Sequence, residues 1–150
     1  MHLQMPQNGI RVEGVKALSK AISSNRNLEF LDLNDNIVTE EGAGALAPAL
    51  GKADKLRNLD LGDCLIRSKG FLQIMKALRD GNILQNLEHL CLAGNEIGNT
   101  DSVSFLMDVF CDDTLDLTGL TLDLESNDFT PNDSNDISQE ASGRLNLLIK

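Results

Sequence analysis

Leucines recur along the chain in a fixed frame that closes on a small polar residue. In the clearest copy, Leu28, Leu31 and Leu33 stand before the closing residue, and the same offsets return twice more. We call the closing residues of the five copies the turn residues: Asn8, Asn36, Cys64, Asn95 and Asn127. They are separated by 28, 28, 31 and 32 residues. Leucines two positions apart point to one side of a strand, so each copy predicts a short strand with a leucine face. The turn residue is expected to satisfy backbone groups that leave the strand.

A second apolar pattern follows each turn residue. Apolar side chains lie seven, ten and fourteen residues on, as in Ala43, Leu46 and Leu50, and these offsets mark one face of an α-helix. The pattern is weaker in the fourth copy and poor in the fifth, at Ile137 and Ala141. Each unit therefore predicts a strand, a turn and a helix, and the right-handed crossover rule makes the strands parallel.

This spacing resembles the leucine-rich repeat. It predicts an α/β fold, a ribonuclease-inhibitor-like solenoid with repeats of about 28 residues, parallel strands on the concave face and helices on the convex face. Residues 1–130 form about five repeats, the first truncated, and residues 131–150 form a C-terminal cap or an acidic tail. The longer third interval predicts a surface loop at residues 80–85. Because a repeat domain needs a cap before its first strand, we expect the chain to be a fragment.

Charge divides the chain unevenly. The formal net charge is −10, and residues 101–150 hold eleven acidic residues against two basic ones. A negative chain with only five Phe and no Trp or Tyr argues against nucleic-acid binding. No apolar run is long enough to span a membrane, and no secretory signal is visible. Three cysteines at wide spacings favour structural thiols in a reducing compartment.

Catalytic patterns are missing from the sequence. Its two histidines, His2 and His89, are far apart, and neither has metal-ligand spacing. Neither a nucleophile motif nor a phosphate loop is present, and the Asp-rich stretch 123–136 does not fit a calcium loop. We therefore expect no enzyme activity, no cofactor and no metal.

Acidic residues occupy the predicted concave face. Side chains between the core leucines point there, and neighbouring parallel strands lie about 4.8 Å apart. Asp32 is therefore expected beside Asp60, and Asp35 beside Asp63, with Asn34 close by. Two interpretations remain open. The carboxylates are an ordinary water-screened surface, or they form an acidic docking strip for a basic partner.

Three segments carry a more specific resemblance. Residues 5–10 (Met-Pro-Gln-Asn-Gly-Ile) and residues 33–36 (Leu-Asn-Asp-Asn) with Thr-Glu-Glu-Gly at 39–42 are similar to repeats of animal Ran GTPase-activating proteins. Residues 62–70 (Gly-Asp-Cys-Leu-Ile-Arg-Ser-Lys-Gly) look like a close copy of a stretch peculiar to that family. The resemblance runs from about residue 2 to residue 129 and weakens after Asn95. It places the chain in the C-terminal part of the family's repeat domain.

The resemblance implies a regulator of the small GTPase Ran in its GTP form, with a Ran-binding protein as a second candidate partner. In the family, an asparagine from an earlier repeat holds Ran's own glutamine, so no catalytic residue is carried over and Asn8 is expected to be a structural turn residue. The implied location is cytoplasmic, or more narrowly the cytoplasmic side of the nuclear envelope. A non-catalytic adaptor of the ribonuclease-inhibitor type is the alternative function. The candidate partner-binding residues are Asp32, Asn34, Asp35, Asp60, Asp63, Arg67 and Lys69.

Overall fold

Strands and helices alternate along the whole chain. A computed structural model describes residues 1–150. Its elements are β1 (His2–Gln4), α1 (Val12–Ser24), β2 (Phe30–Asp32), α2 (Thr39–Leu50), β3 (Asn58–Asp60), α3 (Arg67–Asp80), β4 (His89–Cys91), α4 (Thr100–Cys111), β5 (Thr121–Asp123), α5 (Pro131–Ala141) and β6 (Asn146–Leu148), with a 3-10 turn at Leu84–Asn86. No helix is long and apolar enough to span a membrane.

All six strands form one parallel sheet in chain order. The central residue of each strand pairs with the central residue of the next, and these residues are Leu3, Leu31, Leu59, Leu90, Leu122 and Leu147. The leucine frame therefore sets the register of the sheet, and the expected α/β leucine-rich repeat solenoid is confirmed. Side chains on either side of the central leucine point away from the core and line the concave face.

The core lies between the sheet and the helices. One cluster of 38 buried apolar residues runs through all the repeats. From the second repeat it takes Leu31 and Leu33 of the strand side and Ala43, Leu46 and Leu50 of α2, all at most 1% exposed. Each fully buried leucine contributes about 1.5–3 kcal/mol, and no unit could bury its own leucine face without the next.

The asparagine turn residues of the second, fourth and fifth repeats hold the turns as predicted. Asn95 is fully buried, and its Oδ1 accepts the N–H groups of Cys64 and Ile66 at 3.1 and 3.2 Å. Its Nδ2 donates to three backbone carbonyls at 2.8–3.1 Å. Cys64 has no side-chain amide, and its thiol donates instead to the carbonyl of Leu33 at 3.1 Å. One asparagine thus ties the end of its own strand to the turn of the preceding repeat.

The extra residues of the third interval form the expected surface loop only in part, at the turn of Gly81 and the exposed Asn82. Asp80 ends α3, and the next residues lead into the 3-10 turn at Leu84–Asn86. Ile83 and Leu84 are each only 1% exposed. The additional length carries two apolar side chains, which enter the core because their burial lowers the free energy of the folded chain.

Residues 131–150, which the sequence left open between a cap and an acidic tail, contain α5 and β6. Thr130 and Asp133 form a capping box at the start of α5. Ile137 is fully buried, although the apolar pattern of this copy is poor. After α5, Arg144 donates to the carbonyl of Asp112 at 2.6 Å and to the carboxylate of Asp113 at 2.8 Å. These bonds tie the end of the chain to the segment before β5.

Candidate docking surface

Carboxylates line one edge of the concave face. The sheet register pairs Asp32 with Asp60, so the expected neighbourhood of these two residues is confirmed. Asp60 pairs in turn with Cys91, and Cys91 pairs with Asp123. We call Asp32, Asp60 and Asp123 the acidic row. Asp32 and Asp60 carry like charges on neighbouring strands, with Asp123 two strands beyond Asp60, and this row favours an incoming cation over an anion.

Each aspartate of the acidic row also has a structural task that the sequence reasoning missed. The Oδ1 atom accepts the backbone N–H two residues later, at 3.0 Å for Asp32, 2.9 Å for Asp60 and 3.0 Å for Asp123. Aspartate commonly makes such a bond to its own backbone two residues on. Its return at the same place in three repeats was the available signal. In each of these carboxylates, one oxygen is therefore used to hold the backbone of its own repeat.

Cys91 interrupts the acidic row with a thiol. Burial, followed by the nearby charges of Asp60 and Asp123, raises the pKa of Cys91 to about 12. Burial likewise raises the pKa of Cys64 to about 12. Because the thiolate is the reactive form, neither group is a nucleophile near neutral pH.

Asp35 and Asp63 lie in consecutive turns beyond the acidic row. The N–H of Asp35 donates to the carbonyl of Gly62, and that of Asp63 donates to the carbonyl of Ala93, both at 2.9 Å. Both residues have left-handed backbone, with φ of 53° and 49°. Their exposed carboxylates accept no hydrogen bond and form no ion pair within the chain. We call these two residues the acidic turns.

Two glycines make room for polar side chains at this edge. The Asn34 amide lies over Gly62, where an added Cβ would be 2.6 Å from Nδ2. The Asp63 carboxylate lies over Gly94, where any added side chain would collide with it. The structure therefore brings Asn34 and the acidic turns together with the acidic row on one continuous surface.

Arg67 and Lys69 lie at the start of α3, after the turn that carries Asp63. Arg67 Nε donates to Glu96 Oε2 at 2.9 Å, which pairs it with the next repeat. Ser68, between them, accepts the N–H of Gly98 at 3.2 Å. The family-like segment 62–70 thus makes contacts inside the molecule as well as presenting exposed groups. Lys69 is exposed and lies near Glu40 and Glu41.

The surface presents carboxylates and holds no cluster of potential metal ligands. No group of three or more His, Cys, Asp or Glu side chains is arranged to hold a metal ion. Asn8 donates its amide to the carbonyl of Pro6 at 2.8 Å, which is a turn bond. What the surface offers is a set of fixed, partly exposed carboxylates, which attract basic groups.

The comparison with known families agrees with the architecture. A model described as "Leucine Rich repeat" matches residues 24–47, which contain the second strand, its turn and most of α2. No curated protein matches the chain. Together with the parallel sheet and its repeated asparagine turns, the match supports a leucine-rich repeat solenoid, an architecture that suits a scaffold for protein interaction.

Proposed function

We propose that the concave edge docks the basic face of a protein, and that this partner is the small GTPase Ran in its GTP form. In this proposal the chain is part of a Ran GTPase activator and supplies scaffold and docking surface. The resemblance of residues 62–70 to a family-specific stretch supports the identity of the partner. The charge and shape of the surface support the mode of binding.

The proposal rests on the acidic turns, whose carboxylates are not paired with any group of the chain. The carboxylates of Asp35 and Asp63 have no partner within the chain, whereas the backbone N–H of each donates to a carbonyl of the next repeat. Neighbouring parallel strands lie about 4.8 Å apart, and two unit charges at that spacing repel by roughly 0.9 kcal/mol in water. A lysine or arginine placed between them would remove that repulsion and add attraction to both. Such complementarity mainly raises the association rate and selects the partner.

The proposed role in GTP hydrolysis is indirect. The family resemblance carries no catalytic asparagine into residues 1–150, and Asn8 is engaged in a turn bond. We therefore expect the isolated chain to bind Ran and to accelerate GTP hydrolysis hardly at all. Strong acceleration in a single-turnover assay with this chain alone would contradict that expectation.

Binding to Ran is tested with a charge-reversed pair and a matched control. The variant Asp35→Lys with Asp63→Lys should weaken binding of Ran·GTP at least about tenfold and reduce its salt dependence. The control Asp54→Lys with Asp108→Lys makes the same change in net charge at exposed positions outside the docking edge. It should change the affinity less than about twofold. Equal losses in both variants would mean that net charge alone drives binding.

A non-catalytic adaptor of the ribonuclease-inhibitor type is the second candidate. The 28-residue interval between the first turn residues favours it, because that repeat length is shared with such adaptors. The discriminating measurement is binding of Ran in both nucleotide states beside an unrelated basic protein, such as pancreatic ribonuclease. Saturable binding of the ribonuclease with no binding of Ran supports the adaptor.

A further inference from the structure

Two exposed apolar side chains lie beside the acidic turns. Ile37 is 38% exposed and Leu65 is 40% exposed, and few other large apolar residues of the chain are as open to solvent. Each directly follows a turn residue, in consecutive repeats. The N–H of Thr39 donates to the carbonyl of Cys64 at 3.0 Å, which holds the two turns side by side. We call Ile37 and Leu65 the apolar pair.

The backbone at Leu65 makes its exposure costly. Its φ is 58°, a left-handed value that branched side chains rarely adopt. The equivalent position of the first repeat is Gly9, with φ of 61°, and a glycine there takes this conformation freely. Leucine at this place strains the backbone and still leaves 40% of its surface exposed to solvent. A single exposed leucine is ordinary on a protein surface. An exposed leucine with a strained backbone, beside a second exposed apolar residue, indicates a binding surface.

Charge indicates what that partner carries. Asp35 stands two residues before Ile37, and Asp63 stands two residues before Leu65, so acidic and apolar side chains alternate along the edge. Both carboxylates are free within the chain. Apolar contact at the centre of an interface excludes water from the charges around it and strengthens their attraction. A purely basic surface would leave the apolar pair uncovered, and a purely apolar surface would bury two unpaired carboxylates.

We propose that the apolar pair is the anchor of the docking surface, and that it receives a protein segment with an apolar side chain flanked by lysine or arginine. This inference rests on the acidic docking surface of the proposed function, and it does not depend on Ran as the partner. The acidic turns supply attraction, and the apolar pair supplies discrimination among basic partners.

Two synthetic peptides of equal charge test the anchor. Both are pentapeptides with blocked ends and two lysines on each side of the central residue, which is leucine in one and glutamine in the other. Titration of the methyl-labelled protein at low ionic strength should move the methyl signals of Ile37 and Leu65. The leucine peptide should bind at least about threefold more tightly than the glutamine peptide.

The variant Leu65→Asn provides the decisive control. Asparagine tolerates left-handed backbone, so the thermal midpoint should stay equal to that of the parent chain or rise. The preference for the leucine peptide should disappear, while the weak binding of the glutamine peptide should remain. Equal binding of the two peptides to the parent chain, an unchanged preference in Leu65→Asn, or no saturable binding of either peptide would overturn the inference. Failure of Ran to bind, with the peptide preference intact, would overturn only the choice of Ran.

Discussion

Replacing the turn residue Asn36 by alanine should be one of the most damaging single changes to the stability of this protein. Asn36 is 3% exposed. Its Oδ1 accepts the N–H of Asn8 at 3.1 Å and the N–H of Ile10 at 2.9 Å. Its Nδ2 donates to the carbonyls of Met5, Leu33 and Asn34, at 2.8, 2.9 and 3.3 Å. Alanine removes all five bonds.

The size of the loss depends on which backbone groups keep another partner. The carbonyl of Leu33 still accepts from the thiol of Cys64, and the carbonyl of Asn34 still accepts from the N–H of Gln7. The two N–H groups and the carbonyl of Met5 are left without a partner. An unsatisfied buried group costs about 1–3 kcal/mol, and these three are only partly buried, so the low end applies to each. We expect Asn36→Ala to reduce the free energy of unfolding by about 3 kcal/mol.

Asn8→Ala is the matched control, because Asn8 is the same residue type at the same repeat position. Its amide makes one exposed bond, to the carbonyl of Pro6. Its loss should cost no more than about 0.5 kcal/mol, since an exposed bond is replaced by water. Urea denaturation followed by circular dichroism measures both variants against the parent chain. A difference between the two variants below about 1 kcal/mol would refute the claim that these side-chain bonds hold the turns.

Other expectations follow from the glycines and the thiols. Gly94→Ala should lower the free energy of unfolding by about 1–2 kcal/mol, because φ is 65° and the exposed Asp63 side chain must turn away from the added methyl group. Gly143→Ala meets nothing within 4 Å at φ 78° and should show only the smaller backbone cost, which thermal melting of both variants resolves. Burial raises the pKa values of Cys64 and Cys91 to about 12, above the value of an unfolded thiol. The contribution of these thiols to the free energy of unfolding is therefore complete below about pH 9. It should decline from there towards pH 12 by up to about 1 kcal/mol per pH unit for each thiol, and Cys91→Ala should remove its share of the slope in urea titrations.

Periodicity predicted the parts of the fold that repeat. Leu31, Leu59 and Leu90 occupy the same place in each copy, and they pair in the sheet in that order. The adjacency of Asp32 and Asp60 followed from the same register. Such predictions succeed because each unit contacts mainly its neighbours, so a local pattern determines a long-range contact.

Prediction was poorest where the pattern lapses. The longer interval suggested a loop, yet Ile83 and Leu84 are in the core. The apolar helix pattern of the fifth copy is poor, yet α5 forms, with a capping box at Thr130 and Ile137 buried. In both places a few apolar contacts with the preceding repeat outweigh weak local preference, and such contacts leave little trace in one segment read alone.

The sequence by itself determined the repeat, the parallel strands, the leucine core and the row of aspartates. Only the tertiary structure decided how each polar side chain is used. In the folded protein, one oxygen of Asp32 and one of Asp60 accept a backbone N–H. Arg67 pairs with Glu96, whereas the carboxylate of Asp35 has no partner within the chain. The physical reason is that periodicity orders residues along the chain, whereas hydrogen bonds and ion pairs depend on distances of about 3 Å between atoms of different repeats.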